Sequence, residues 1–233
     1  MTPGNTEPAA SVSRSVHEDA ADTPTTTVEV WADIVCSWCY VGKRHLETAL
    51  EAFPEGSIEL RWRSFELDPT IPADAGSADE ELARRRGLTL AEARAMHEET
   101  ERMGAEIGIH FDFARARRGN TFDANRVLHM AHAEDHQVEV MDRLLAAYFG
   151  EGEPIGDREA LARVAGAAGL DPAAVGAMLA GEEYAANVRA DEGEAAALGI
   201  TAVPFFVIDR RFGLAGAHPA ESLRAAIEQA RTA

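Results

Sequence analysis

The chain has 233 residues, of which 46% are hydrophobic, so it can bury a full core without disulfide staples. Its 22 Lys and Arg residues against 40 Asp and Glu residues give a formal net charge of −18, and such an acidic chain repels nucleic-acid backbones and anionic membrane surfaces. No apolar run approaches the roughly 20 residues of a membrane-spanning helix, so the sequence predicts neither nucleic acid nor a membrane as a partner.

Residues 1–26 are predicted to form a disordered leader. They are rich in Thr, Ser and Pro, and they lack the apolar core of a secretory signal peptide. We therefore expect a cytoplasmic protein. In the reducing cytosol, a pair of cysteines is more often catalytic or redox-sensing than structural.

The first predicted strand leads directly to the only two cysteines of the chain. Apolar and polar residues alternate from Val28 to Ile34, which predicts a half-buried strand. Cys36 and Cys39 follow, as a Cys-Ser-Trp-Cys motif, at the start of a predicted helix that ends near Phe53. Unpaired N–H groups at a helix start stabilise a thiolate, so Cys36 is predicted to attack a disulfide and Cys39 to resolve the resulting mixed disulfide.

Cys36 and Cys39 have three other candidate roles. Structural zinc needs about four ligands, and no second pair of ligands follows at zinc-finger spacing. A structural disulfide would close too small a loop to stabilise a chain of this size. Chance pairing of two buried thiols stays open as an alternative, although we favour redox chemistry.

A second alternating strand, Ile58 to Trp62, follows the first helix and completes a β-α-β unit, for which we expect parallel strands. From about Thr70 to Leu198, strand patterns vanish and five or more helices are predicted. The predicted caps of these helices are a capping box at Thr89 and N-caps at Asp123, Asp157 and Asp171. Strand patterns return at 204–208 and 212–214, before a final amphipathic helix.

We predict that several charged residues lie on the solvated surface. They are Lys43 and His45 on the first helix, the arginines 84–86, and Arg115, Arg117 and Arg118, which we interpret as helix faces. Helical spacing of His129, His132 and His136 also suggests a metal-binding face. No further ligands can be named for it, so we favour surface histidines and predict no metal.

Four motifs, in this order, resemble the DsbA family of thioredoxin-fold oxidoreductases, and most closely its FrnE-like branch. The resemblance covers roughly residues 28–231. The motifs are Asp33-Ile34-Val35-Cys36-x-Trp38-Cys39-Tyr40-x-Gly42-Lys43, Arg61-Trp62-Arg63-x-Phe65, Asn120-Thr121-Phe122-Asp123-Ala124, and Gly199-Ile200-x-x-Val203-Pro204-Phe205-Phe206-Val207.

This resemblance implies that the Val203–Pro204 peptide bond is cis and faces the cysteines, where the Val203 backbone can pair with an extended substrate strand. The alternative is a trans proline that opens a strand. The chain departs from the family pattern at Ser37, where proline is common, and at Trp38, where strongly oxidising relatives have a histidine. Without that nearby cation, we expect a Cys36 pKa closer to that of thioredoxin than to that of DsbA.

The resemblance also implies that Asn120 and Thr121 contact substrate; the alternative is that they are turn and capping residues. Phe205 belongs to a set of aromatic residues predicted either to line an apolar groove for substrate or to lie in the core. The other members of this set are Trp31, Trp38, Tyr40, Phe65 and Phe206.

Together these features predict an α/β thioredoxin fold, β-α-β plus β-β-α, interrupted by an all-helical insertion. Residues 27–69 and 199–233 would form the thioredoxin-like domain, and residues 70–198 the insertion. The predicted function is thiol–disulfide exchange on protein or peptide thiols through Cys36 and Cys39, with Ser37, Trp38, Val203 and Pro204 in support. No cofactor is expected beyond the redox-active disulfide, with glutathione as a candidate co-substrate.

Two alternatives to this function stay open. The first is a glutathione-dependent isomerase or transferase of the 2-hydroxychromene-2-carboxylate isomerase type acting on a small aromatic molecule, although such relatives typically have serine at the position of Cys36. The second is a non-enzymatic, holdase-like binding module, whose binding would survive replacement of both cysteines.

Overall fold

A computed structural model describes residues 25–232, and its four strands form one mixed sheet. The strands are β1 (Thr26–Ala32), β2 (Ile58–Ser64), β3 (Phe205–Ile208) and β4 (Phe212–Ala215). Their order is β2-β1-β3-β4, with β1 parallel to β2 and β3 antiparallel to both β1 and β4. The parallel pairing confirms the predicted β-α-β unit.

Nine α-helices accompany these strands within residues 25–232, and seven of them lie between β2 and β3. This arrangement confirms the predicted thioredoxin fold with a helical insertion. The helices are α1 (Ser37–Leu50), α2 (Ala78–Arg86), α3 (Leu90–Glu106), α4 (Phe122–Ala133), α5 (Gln137–Ala146), α6 (Arg158–Gly166), α7 (Pro172–Ala180), α8 (Ala185–Ala197) and α9 (Ala220–Thr232). A π-helical segment, Ala147–Glu151, continues α5.

The domain boundaries stay a prediction, apart from one residue of the leader. Residues 1–24 of the predicted leader lie outside the described residues. Thr26, the last residue assigned to the leader, belongs instead to β1, where it pairs with Ile58. No helix within residues 25–232 is both long enough and apolar enough to cross a membrane.

Strand β1 is buried on both faces, so the prediction of a half-buried strand is wrong. Glu29 and Trp31, which alternate with the apolar residues, are buried as deeply as those residues. The reason is that α8 and its neighbours cover this second face. The Trp31 indole donates to the Asp191 carbonyl of α8 at 3.0 Å, and Arg63 donates to the Glu29 carboxylate at 2.8 Å. Helices on both faces of a sheet bury alternate residues that would otherwise meet water.

The helical segment attaches to β2 through two polar side chains. Gln137 of α5 accepts the Trp62 N–H and donates to the Trp62 carbonyl, both at 2.9 Å, and so satisfies the free edge of the strand. Asp191 of α8 accepts the Ser64 N–H at 2.8 Å and binds Arg63 at 2.9 Å. These bonds hold the insertion against the sheet.

The predicted helix caps are confirmed with one exception. Thr89 forms the capping box, and Asp157 and Asp171 each accept a backbone N–H in the first turn of their helices. Asp123 is not an N-cap, because α4 begins at Phe122 and its N-cap is Thr121. Its carboxylate instead binds Arg126 and Arg158, both at 2.7 Å.

Candidate active site

Cys36 lies at the N-cap position of α1, in a turn that follows β1. Its N–H donates to the Asp33 carbonyl at 3.0 Å, and its own carbonyl accepts the Cys39 N–H at 3.0 Å. The backbone N–H groups of Trp38 and Cys39, at the start of the helix, lie near the Cys36 sulfur and lower the pKa of its thiol. The short connection between strand and helix therefore places the first thiol in an electropositive position.

The two thiols have opposite tendencies to ionise. Cys36 is 7% exposed and Cys39 is 0% exposed, and both are free thiols. A hydrogen bond from Cys39 lowers the pKa of Cys36 despite burial, with help from backbone N–H groups. Burial, together with the hydrogen bond to Cys36 and its charge, raises the pKa of Cys39 well above its usual value. The geometry therefore favours a thiolate at Cys36 and a protonated thiol at Cys39.

The loop before β3 approaches the Cys36 sulfur. The Val203–Pro204 peptide bond is cis, as the resemblance implied, and the Cys36 thiol lies 3.6 Å from the Val203 carbonyl oxygen. In the part of the chain that the structure describes, the Val203 N–H donates to no backbone or side-chain group. The Val203 backbone is thus available for pairing next to the thiol.

Gly42 of α1 gives Pro204 the space it occupies. A Cβ atom at Gly42 would lie 2.9 Å from Pro204 Cγ and 3.2 Å from Phe206 Cζ, closer than ordinary carbon contacts. The Pro204 carbonyl also accepts the Gly216 N–H at 2.8 Å. Helix α1 and the proline loop therefore fit together only because position 42 has no side chain.

A buried polar cluster lies beside the cysteines, and the sequence alone did not predict it. The Asp33 carboxylate accepts the Leu67 N–H at 2.7 Å, and it also interacts with Arg118 and the Thr121 hydroxyl. Burial raises the pKa of Asp33 despite these partners. The negative charge of Asp33 opposes ionisation of both cysteines, so this residue influences the reactivity of the site.

Arg118 is 8% exposed and does not belong to a helix, so its assignment to a solvated helix face is wrong. It lies in the loop before α4, near the Val35 carbonyl and the hydroxyl of Tyr148. Burial raises the pKa of Tyr148 to about 12, so the phenol stays neutral. Three segments distant in sequence thus meet behind Cys36.

Lys43 was also predicted to be solvated, and this prediction is wrong. Its ammonium group is buried and forms ion pairs with Glu47 on the same helix and with Asp142 of α5. His45, on the same helix, is half-buried, and its Nδ1 lies 2.9 Å from the His218 carbonyl oxygen. Both side chains fix the position of α1.

Asn120 and Thr121 do not line the cavity next to Cys36. Asn120 accepts the Phe122 N–H at 2.9 Å and donates to Glu66 at 3.0 Å. Thr121 is buried against Asp33. These contacts are those of a turn that precedes a helix, the alternative weighed for these residues, and substrate contact stays a prediction.

The aromatic set divides between core and surface. Trp38 is 49% exposed at the mouth of the site, beside the half-buried Ser37. Phe205 is half-buried and packs against Gly213 of β4, away from the cavity at Cys36. The buried members of the set are Trp31, Tyr40 and Phe206. Within this set, Trp38 therefore offers exposed apolar surface next to the cysteines.

The predicted histidine face is split by the fold. His129 binds Asp191 and Ser64, both at 3.1 Å, whereas the His136 ring lies beside Gly169. Within residues 25–232, no group of three or more His, Cys, Asp or Glu side chains is arranged to hold a metal ion.

Comparison with known proteins identifies the family. The model of the DSBA-like thioredoxin domain matches residues 27–228. The chain belongs to this family. A probable DsbA oxidoreductase, SCO1869 from Streptomyces coelicolor, is 41% identical with a TM-score of 0.82, covering 88% of this chain and 89% of that one. The similarity agrees with the FrnE-like branch of the DsbA family.

Two further proteins are less similar to this chain, one compared by sequence and the other by structure. An uncharacterized protein, YwbO from Bacillus subtilis, is 28% identical over 79% of this chain and 87% of its own length. The cytosolic disulfide reductase DsbM from Pseudomonas aeruginosa, in a structure with GSH, is 16% identical with a TM-score of 0.55. That match covers 88% of this chain and 96% of DsbM. The DsbM similarity shows the fold alone.

Proposed function

We propose that the protein is a thiol–disulfide oxidoreductase or isomerase that acts on protein or peptide thiols through Cys36 and Cys39. The observation that carries this proposal is the position of Cys36 at the N-cap of α1, 3.6 Å from the Val203 carbonyl oxygen, with Cys39 fully buried in the same turn. This arrangement gives the two thiols opposed pKa shifts. A stabilised thiolate beside a protonated partner is the arrangement that disulfide exchange requires.

The reaction is a pair of thiolate displacements. The Cys36 thiolate attacks one sulfur of a substrate disulfide, which forms a Cys36–substrate disulfide and releases the other sulfur as a thiolate. Cys39 then loses its proton and attacks the Cys36 sulfur, which closes the Cys36–Cys39 disulfide and releases the second substrate thiolate. The substrate gains two electrons and the two cysteines lose two; the reverse sequence oxidises a substrate dithiol.

The proline loop supplies the substrate contact in this proposal. An extended substrate segment pairs with the Val203 N–H and carbonyl, as a strand added to a sheet edge does. Such pairing recognises backbone, and so accepts different protein sequences. The Cys36 sulfur lies 3.6 Å from the Val203 carbonyl oxygen, so a paired segment holds its own sulfur near the attacking thiolate.

Glutathione is proposed as a candidate co-substrate that returns the pair to its starting oxidation state. The DsbM structure with GSH supports this for a protein of the same fold. A cytoplasmic location also remains a proposal.

The reduction potential of the Cys36–Cys39 couple tests the proposal. The protein is equilibrated in glutathione buffers, and alkylated thiols are counted by mass spectrometry. We expect a reversible two-electron transition between about −120 and −270 mV, the range of dithiol oxidoreductases. Cys36→Ser should abolish mixed disulfides, whereas Cys39→Ser should trap them.

Absence of an intramolecular disulfide across this range would refute the redox proposal. Turnover of a 2-hydroxychromene-2-carboxylate that depends on glutathione would then favour the isomerase alternative. Peptide binding that survives the double Cys36→Ser and Cys39→Ser replacement would instead favour the binding module.

A further inference from the structure

A cavity of about 160 Å³ opens beside Cys36, between the start of α1 and helices α2 and α3. Its lining includes Cys36, Ser37 and Trp38 at the start of α1 and Met96 of α3. A cavity of this size holds a small organic group, since an engineered cavity of about 150 Å³ accommodates benzene. Trp38 and Met96 are 49% and 39% exposed, so its rim includes two apolar side chains.

The lining of this cavity carries more cations than its neighbourhood neutralises. Arg85 and Arg86, from the last turn of α2, and the buried Arg118 all line it. Arg118 faces Asp33, so its charge is matched. Arg85 and Arg86 are exposed, and in the part of the chain that the structure describes neither forms an ion pair with a carboxylate, although the protein contains 40 acidic residues.

The acidic and titratable residues of the cavity already have partners. The Glu81 carboxylate binds Arg84, the residue before Arg85, at 2.8 and 2.6 Å. His97 stacks on Phe113 and binds Asp79 at 2.6 Å. The positive charges of Arg85 and Arg86 are therefore not neutralised by the cavity itself.

We propose that this cavity binds a carboxylate-bearing group next to the attacked sulfur of the substrate disulfide, with Arg85 and Arg86 pairing with the carboxylate. The proposal rests on disulfide exchange at Cys36 and adds a substrate class, anionic peptide disulfides. Guanidinium groups pair with carboxylates in bidentate fashion, and the apolar rim at Trp38 and Met96 packs against the carbon chain that carries the acid. In a protein with a net charge of −18, this local pair of cations also draws an anion to the thiol.

The test compares two symmetric peptide disulfides that differ only in charge. One dimer has glutamate on each side of its cysteine and the other has glutamine. In the Cys39→Ser background, the Cys36 thiolate displaces one peptide thiolate and the mixed disulfide accumulates, so its second-order rate constant is measured by mass spectrometry. We expect the acidic dimer to react about tenfold faster at low salt, and this preference to shrink at about 1 M salt.

Replacing the two arginines should remove the preference. Arg85→Gln with Arg86→Gln should reduce it to about twofold or less, because the rate with the acidic dimer falls more than the rate with the glutamine dimer. The control, Arg163→Gln with Arg224→Gln, changes the net charge equally at two exposed positions that do not line the cavity, and it should keep the tenfold preference.

Three outcomes would overturn the proposal. Equal rates for the two dimers in the unsubstituted cavity would refute the anionic site while leaving disulfide exchange intact. An equal loss in the control variant would assign the preference to the overall field of the protein. Failure of both dimers to react would refute the proposed function, and the site with it.

Glutathione disulfide, measured alongside, distinguishes the source of the carboxylate. A higher rate than that of the acidic dimer assigns the site to a small anionic thiol, and a lower rate assigns it to an acidic segment of a protein. In either case, we expect the double arginine variant to react more slowly with glutathione disulfide.

Discussion

Replacing Gly42 with alanine should destabilise the protein and slow its thiol chemistry, although alanine is the better helix former. The added Cβ would lie 2.9 Å from Pro204 Cγ and 3.2 Å from Phe206 Cζ. Ordinary carbon contacts are about 3.5 to 4.0 Å, so the proline must move by roughly 0.6 to 1 Å. Phe206 is fully buried, and the Pro204 carbonyl is bonded to Gly216, so neither neighbour yields easily.

The magnitude follows from two opposing terms. Overpacking of a core costs about 1 to 3 kcal/mol, whereas alanine in place of glycine within a helix gains about 0.5 to 1 kcal/mol. We therefore expect Gly42→Ala to lower the free energy of unfolding by up to about 2.5 kcal/mol. Displacement of Pro204 also shifts the adjoining Val203, whose carbonyl contacts the Cys36 thiol, so the rate of disulfide exchange should fall.

Gly193→Ala provides the matched control. Gly193 lies on the exposed side of α8, and no atom would approach an added Cβ within 4 Å. It should raise the free energy of unfolding by about 0.5 to 1 kcal/mol without changing exchange. Urea denaturation and a peptide-disulfide assay measure both quantities. Equal stabilisation by Gly42→Ala and Gly193→Ala, with exchange unchanged, would refute the packing argument.

Three further substitutions test the polar contacts. Asp33→Asn removes a negative charge that opposes ionisation, so it should lower the pKa of Cys36, as followed by the ultraviolet absorbance of the thiolate. Gln137→Ala leaves the Trp62 N–H and carbonyl without their partner and should cost about 1 to 3 kcal/mol in urea denaturation. Asp191→Asn should cost about 2 to 4 kcal/mol at neutral pH, and the difference from the unsubstituted protein should shrink below about pH 4.

The pH dependence at Asp191 has a definite sign. Burial tends to raise the pKa of this carboxyl, but hydrogen bonds from His129 and the Ser64 N–H, with the charges of His129 and Arg63, lower it overall. A carboxyl with a lowered pKa stabilises the fold above its unfolded pKa, and this stabilisation is lost as the pH falls through its folded value. A difference between Asp191→Asn and the unsubstituted protein that grows in acid would contradict this assignment.

Each of the other two substitutions also has a contradicting result. An unchanged titration of Cys36 in Asp33→Asn would show that the carboxyl is already neutral or too distant to act. For Gln137→Ala, the control is Gln229→Ala, at an exposed position of α9. Equal effects of the two glutamine substitutions would show that the bonds to Trp62 contribute little.

The sequence was most informative where the site is local. Cys36 and Cys39 lie within one helical turn, so their spacing and the preceding strand pattern were enough to predict which thiol is the more exposed. The cis bond at Pro204 was implied by the resemblance alone, because cis is the minority form of X–Pro bonds and the residues themselves favour trans. The contact between Gly42 and Pro204 joins residues from both ends of the fold and had no local signature.

The misassigned charges share one physical reason. Periodicity indicates which residues share a face, but not what covers that face. Lys43 and Arg118 were assigned to solvent because charged side chains are usually exposed, yet each is buried beside an acid from another segment. Glu29 is likewise buried beside opposite charges from other segments, those of Arg63 and Arg210. Such pairings become visible only when the helices are placed on the sheet.

These buried pairs link the stability of the fold to the reactivity of the site. Glu29 and Trp31 of β1, and Asp33 just after it, point toward the helical segment, because alternate residues of a strand share a face. The Asp33 carboxylate accepts the Leu67 N–H and lies near Thr121 and Arg118, and its charge also opposes ionisation of the cysteines. A change that shifts the helical segment relative to the sheet therefore alters the surroundings of Asp33. It should change the thiolate fraction at Cys36 together with the free energy of unfolding.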